Sequence, residues 1–249
     1  MGVRNKRIVI VGATSAIAEH CARCWAEDAP SEMIMVGRDK SKLEIVAQDL
    51  RVRSPASTVA SVVFDFLQPA AIQGFVDGIY ANGTVDIVLI AHGVLPEQEV
   101  CQENLVECKT TLDVNGVSPV VFAEAFATQM EKANKGTLAI IGSVAGDRGR
   151  KSNYIYGAAK SMVSAYVGGL QHRLAGTPVK VILVEPGPTN TPMTAQCHGV
   201  RLASVHAVAR RIVKGINLGR PVIYAPLKWT LIMLVIRHIP RNIFNRLDI

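Results

Sequence analysis

Apolar residues gather in short continuous runs at 7–11, 33–36, 59–64, 87–90, 138–141 and 179–184. An exposed strand face would show polar residues at every second position, so continuous runs of this length predict strands buried on both faces. The intervals between runs are long enough for a crossover helix each, which predicts an α/β fold: a doubly wound parallel sheet with helices on both faces. A last short run at 222–224 predicts a strand at the edge. Residues 154–175, rich in Ala, Met, Val and Leu and free of Pro until Pro178, predict a long helix, and Ser204 is placed to cap another through Ile216.

The turn after the first run reads Gly12-Ala13-Thr14-Ser15-Ala16-Ile17-Ala18. Small residues between a strand and a helix let backbone amides approach a pyrophosphate, so Gly12, Thr14, Ser15, Ala16 and Ile17 are candidate cofactor contacts. Thr14 and Ser15 are also candidate caps. After the second run comes Gly37-Arg38-Asp39, where an acid would accept from a free ribose 2′-hydroxyl and an arginine would pair with a 2′-phosphate. With Arg38 first, NADP is expected ahead of NAD.

The chemistry is carried by Tyr156-Gly-Ala-Ala-Lys160, with Ser143 at the end of the fifth run. Residues four apart share a helix face, so Tyr156 and Lys160 would stand side by side, the ammonium lowering the pKa of the phenol. Tyr224 and Lys228 repeat the spacing, but Pro226 between them breaks a helix, so that pair is not expected to share a face.

Apolar residues make up 49% of the 249 and charged residues 19%, without low-complexity runs, which excludes a disordered chain. The five cysteines, 21, 24, 101, 108 and 197, lack the spacing of a disulfide scaffold, and no secretory signal is read before them; a reducing cytoplasm is expected. Cys21 and Cys24 lie in the first predicted helix without a second pair or a His cluster, so no metal site is expected. Lys6 stands where a myristoylation signal beginning at Gly2 wants Ser or Thr.

The formal charge of +7 is uneven: residues 201–249 hold nine Lys or Arg against one acid, Asp248, a net +8, while residues 1–200 sum to −1. Within this end lies an apolar strip from Trp229 to Ile236, flanked by Lys228, Arg237 and Arg241 and followed by Phe244. Eight residues cannot span a bilayer, which takes about 20. The strip fits either a membrane interface, with anionic lipid or phosphate as partner, or packing on the body or on another subunit. No motif reads nucleic-acid bases.

Turn, strand rhythm, Ser143, Tyr156 and Lys160 occur together in the order of the short-chain dehydrogenase/reductase family, which the chain resembles over nearly its whole length. The resemblance implies a single Rossmann-type domain, here 1–225, followed by a basic apolar tail, 226–249. It implies that Asn115 holds a proton-relay water beside Lys160, that Asp65 and Phe66 contact adenine, and that Thr189 and Thr191, after Pro186-Gly187, fix the nicotinamide amide. Ala16 and Ala18 replace two glycines of the family's first turn. Ala91-His92-Gly93 replaces its Asn-Asn-Ala-Gly, so that turn is expected to line the cofactor mainly through its backbone, with His92 packed beside it.

The implied activity is reduction of a ketone with NADPH, with Asn115, Ser143, Tyr156 and Lys160 catalytic. A homodimer or homotetramer through helices 115–132 and 154–175 is implied by the same resemblance. Trp229, Arg237-His-Ile-Pro-Arg241 and Phe244-Asn-Arg-Leu247 are similar to the tail of reductases acting on a 2-keto pentose linked to decaprenyl phosphate. A lipid-linked or otherwise phosphorylated ketosugar, met at the inner face of the membrane, is therefore expected. The alternatives are a reductase of small soluble ketones or ketoacyl groups, and a non-enzymatic cofactor-sensing module, for which an acid/base pair would have no use.

Overall fold

The computed structural model describes residues 5–196 and 201–247, so Cys197 and Asp248 lie outside the described residues. All seven expected strands form: β1 (Lys6–Val11), β2 (Ser31–Gly37), β3 (Thr58–Val63), β4 (Ile87–Ile90), β5 (Thr137–Ile141), β6 (Lys180–Pro186) and β7 (Val222–Ala225). They make one parallel sheet in the order β3-β2-β1-β4-β5-β6-β7.

The continuous apolar runs are explained by the two faces they serve. In β1, Ile8 and Ile10 pack beneath α1 (Ala16–Asp28), α2 (Lys40–Arg53) and α8 (Val205–Asn217). Val9 and Val11 point the other way, beneath α3 (Pro69–Ala81), α6 (Ser118–Ala133) and α7 (Tyr154–Arg173). All four side chains are fully buried, and at about 25 cal/mol per Å² each contributes roughly 1.5–3 kcal/mol relative to exposure.

Two helices that the apolar pattern does not reveal, α4 (Gln98–Glu103) and α5 (Leu105–Leu112), precede a π-helical turn at Asp113–Val117. The helix expected to start at Asn115 is thus the continuation of a longer helical path. Pro119 explains the irregularity, because it has no N–H to donate to the carbonyl four residues back and its ring crowds that carbonyl. The chain widens there, with the Ser118 amide bonding Asp113 O five residues earlier.

The tail folds as two helices, α9 (Lys228–His238) and α10 (Arg241–Phe244). Its underside is seated on the domain. Met233 is fully buried, and the Arg148 guanidinium donates to the carbonyls of Ile236 (2.8 Å) and Ile239 (2.6 Å) at the end of α9. The same guanidinium lies 3.9 Å from the centre of the Phe244 ring, and Arg237 pairs with Asp147 at 3.5 Å. Tyr224 ends in β7 while Lys228 opens α9, so this second Tyr-x-x-x-Lys pair spans two elements, as Pro226 requires.

Candidate active site

Strand order reverses between β1 and β4, and in open α/β sheets the crevice at such a point takes the ligand. Gly12 and His92 stand on its two sides. Gly12 has φ +83, and a Cβ there would come within 2.5 Å of the His92 backbone nitrogen, so glycine is needed for both conformation and space. Beyond it, Ser15 occupies the N-cap position of α1, but its side chain makes no bond to the helix. The expectation that Thr14 or Ser15 caps α1 is corrected accordingly. The first-turn amides of α1, among them those of Ala16 and Ile17, are left as an anion-binding end. A methyl at position 18 is accommodated without exposure, Ala18 being fully buried against the sheet.

Arg38 is exposed at the end of β2, with its guanidinium carbon 5.9 Å from the Phe66 ring centre. Its neighbour Asp39 is engaged elsewhere: it caps α2 by accepting from the Lys42 amide and pairs with the Lys42 ammonium at 3.8 Å. Asp65 is exposed and closes a tight turn by accepting from the Leu67 amide. Phe66 follows Asp65 and turns its side chain inwards. Its ring is buried, 4.6 Å from the His92 ring and 5.7 Å from Phe122, so it belongs to the interior stack.

His92 closes that stack. Ser118 Oγ donates to Phe66 O at 2.7 Å, so the His92 Nε2 that meets the same hydroxyl at 2.9 Å carries the proton. Nδ1 is then a buried acceptor without a partner in the structure. Burial, reinforced by the charges of Lys160 and Arg38, pushes His92 down to about 3, which removes it as a proton shuttle near neutrality.

Ser143, Tyr156, Lys160 and Asn115 converge beyond the carboxyl ends of β4 and β5. Lys160, one turn after Tyr156 on α7, is buried and donates from Nζ to Ile141 O at 2.9 Å. Its ammonium lies 5.8 Å from the Tyr156 ring centre. Asn115 is fully buried in the π turn, bonding Thr111 O through Nδ2 and accepting from the Val94 amide, both at 2.9 Å. A Cβ on Gly93 would fall 2.7 Å from Asn115 Oδ1 and 3.9 Å from Lys160 Nζ, so glycine keeps open the space between the two.

The Tyr156 phenol is pushed up to about 12, first by burial and then by the charge of Glu185, against a lowering hydrogen bond with Ser143. The expected net lowering by Lys160 is therefore corrected: desolvation wins, and at neutral pH Tyr156 holds its proton. Burial pushes Lys160 down to about 8, with Glu185 opposing.

On the far wall, Pro186 ends β6 and the Gly187 amide bonds Ala225 O at 3.0 Å. Thr189 is buried with its hydroxyl on Gly187 O (2.8 Å), and Thr191 caps a short 3-10 turn through Thr194. Trp229 of α9 lies directly against Gly187.

Two residues around this site, Glu185 and Arg148, carried no reading in the sequence, and Trp229 was read only as part of the tail. Glu185, one residue beyond the apolar run 179–184, is a buried acid behind Lys160, and its signal was a charge inside a two-faced core strand. Arg148 and Trp229 join the tail to the loops after β5 and β6, and nothing in the local pattern pointed to those contacts.

The glycine cradle at position 12, the uncapped amide end of α1 and the polar groups around Lys160 fit a nicotinamide dinucleotide laid from Arg38 towards Tyr156. The comparisons agree with this fold. Residues 6–199 match the family model described as short chain dehydrogenase, and the chain belongs to that family of NAD(P)-dependent oxidoreductases. Among curated relatives, an uncharacterised oxidoreductase of Streptomyces coelicolor is 28% identical over 97% of this chain and 96% of its own length. One of Staphylococcus epidermidis is 32% identical over 77% and 81%. Among solved structures, a short-chain dehydrogenase from Sphingobium yanoikuyae in complex with NADPH superposes with a TM-score of 0.81 at 22% identity, covering 95% of this chain and 97% of that one. A bulky-bulky ketone specific alcohol dehydrogenase from Comamonas testosteroni gives 0.79 at 23%, covering 95% of each.

Proposed function

We propose that the protein is an NADPH-dependent ketone reductase whose substrate is a ketosugar carried on a lipid phosphate or otherwise phosphorylated. The observation that carries the reaction class is the convergence of the Ser143 hydroxyl, the protonated Tyr156 phenol and the Lys160 ammonium at the crevice. NADPH, when bound, supplies a hydride. Ser143 donates a hydrogen bond to the ketone oxygen, and Tyr156 gives that oxygen its proton as the carbonyl carbon becomes an alcohol carbon. An alkoxide is far more basic than a phenolate, so even a phenol raised by burial gives up its proton to it. Lys160 then stands beside the phenolate as its counter-charge, and Asn115, with Gly93 leaving room before it, holds the water through which the proton is restored. Arg38, free of Asp39, favours the 2′-phosphate of NADPH.

The tail supports the lipid-phosphate reading. Leu231, Leu234 and Val235 share the outer face of α9 and are 57–70% exposed. Lys228 opens that helix and Arg241 and Arg246 follow it along the chain, all exposed, and residues 201–247 contain no acid. An apolar strip flanked along the chain by cations suits an anionic membrane surface. Exposed Leu105, Val106, Val117 and Met162 on α5, α7 and the π turn support a homo-oligomer through that side.

The test is NADPH oxidation, followed at the nicotinamide absorbance, over a panel of a polyprenyl-phosphate 2-ketopentose, a free ketopentose phosphate, small ketones and a β-ketoacyl thioester. The lipid-linked sugar is expected to give the highest kcat/KM. Turnover confined to the small ketones or the thioester would select a reductase of soluble substrates, and tight NADPH binding without turnover would select a cofactor-sensing module.

A further inference from the structure

Glu185 sits near the end of β6, 1% exposed, in a strand whose other side chains are apolar except at the exposed Lys180. Isolated, a carboxylate there would be strongly disfavoured, so its surroundings decide what it does. Ser164, one turn beyond Lys160 on α7, places its hydroxyl 3.0 Å from Glu185 Oε1 and 3.1 Å from Lys160 O. One hydroxyl proton serves one acceptor at a time, so the bond from Ser164 that favours the ionised carboxyl competes with the one to Lys160 O. Oε2 is buried without a hydrogen-bond partner, which fits a carboxyl that spends part of its time neutral.

The carboxyl lies at the same turn of backbone as the catalytic ammonium. A Cβ on Gly142 would stand 3.0 Å from Glu185 Oε1, and the preceding residue, Ile141, gives the carbonyl that Lys160 Nζ bonds. The titratable and charged groups facing Glu185 are Lys160 and Tyr156 from α7, Asp147 from the loop after β5, Tyr224 from β7 and Arg237 from α9. Tyr224, its register partner across β6 and β7, donates to Asp147 at 3.0 Å.

We propose that Glu185 is a positioning residue that acts through Lys160: its carboxyl, lodged between Gly142 and Ser164, keeps the buried ammonium charged for Tyr156. The inference rests on the reading of Tyr156 and Lys160 given above. Burial is the main push on both members towards their neutral forms, joined for Glu185 by the charge of Asp147; with the charge of each opposing the shift of the other, Lys160 stands at about 8 and Glu185 at about 8. Removing the carboxylate leaves the burial of Lys160 unopposed, so the ammonium loses its proton at lower pH. Tyr156, relieved of the same negative charge, also ionises at lower pH. Ketone reduction needs Lys160 charged and Tyr156 protonated, so both changes move its high-pH limit downwards.

The test needs no substrate. The protein is prepared with lysine isotopically labelled at Cε, the Lys160 resonance is assigned by its loss in Lys160→Arg, and its titration is followed by NMR. Glu185→Gln, which keeps the shape and an acceptor oxygen, is expected to lower the Lys160 midpoint by roughly half a pH unit or more. Ser164→Ala, which withdraws the bond favouring the ionised carboxyl, is expected to lower it by less and gives a second reading if Glu185→Gln does not fold. An unchanged midpoint in the folded variants overturns the inference and leaves the catalytic reading standing. Retained turnover in Tyr156→Phe would overturn the catalytic reading and leave the titration result in place.

Discussion

The indole of Trp229 is packed so closely on Gly187 that a β-carbon at position 187 would stand 1.9 Å from its Nε1. The tail is therefore seated on the loop that leaves β6 for Thr189 and Thr191. Gly187→Ala is expected to cost about 1–3 kcal/mol through overpacking, a fall in Tm of roughly 2–12 °C for a chain of this size. Adding Trp229→Ala removes the clash, so the double variant should be less destabilised than the sum of the two single ones. Thermal unfolding of the four proteins measures this, and strict additivity would mean that the two residues do not meet.

The proposed preference for NADPH rests on Arg38. Arg38→Ala removes charge-assisted bonds worth about 1.5–3 kcal/mol, so kcat/KM with NADPH should fall roughly 10–100-fold while that with NADH changes little. A wild-type preference for NADH, or equal losses with both cofactors, would contradict the assignment.

The outer face of α9 gives a separate outcome. Sedimentation with vesicles containing anionic lipid should carry down the intact chain, less so at high salt. Leu231→Glu combined with Leu234→Glu should abolish this with Tm nearly unchanged, because both side chains are exposed. Failure of the wild-type chain to sediment, or a change of oligomeric state in the double variant instead, would assign the face to a protein contact.

What the sequence made legible follows from the physics of each element. A parallel strand covered by helices on both sides is apolar at most positions, so runs such as 87–90 could be read within a residue or two of their ends. Tyr156 and Lys160 were legible because a helix fixes the relation of residues four apart, and Ser143 because it follows such a strand. Asn115 was found by resemblance, but its π turn was not expected, since widening depends on how Pro119 is accommodated beside Gly116 and α7. Desolvation of Tyr156 was equally hidden: local spacing shows the nearby ammonium but not the burial that outweighs it. The place of Phe66 in a stack with His92 and Phe122 depends on contacts between distant parts of the chain.

The central claim is that Tyr156 gives the proton in a ketone reduction. The most direct measurement is turnover of Tyr156→Phe on the best ketone of the panel, together with its Kd for NADPH. The hydroxyl is the only group removed, so turnover should fall by about 10²–10⁴-fold while Kd stays within roughly two-fold, since the ring that remains fills the same space. Turnover close to that of the wild type would contradict the account.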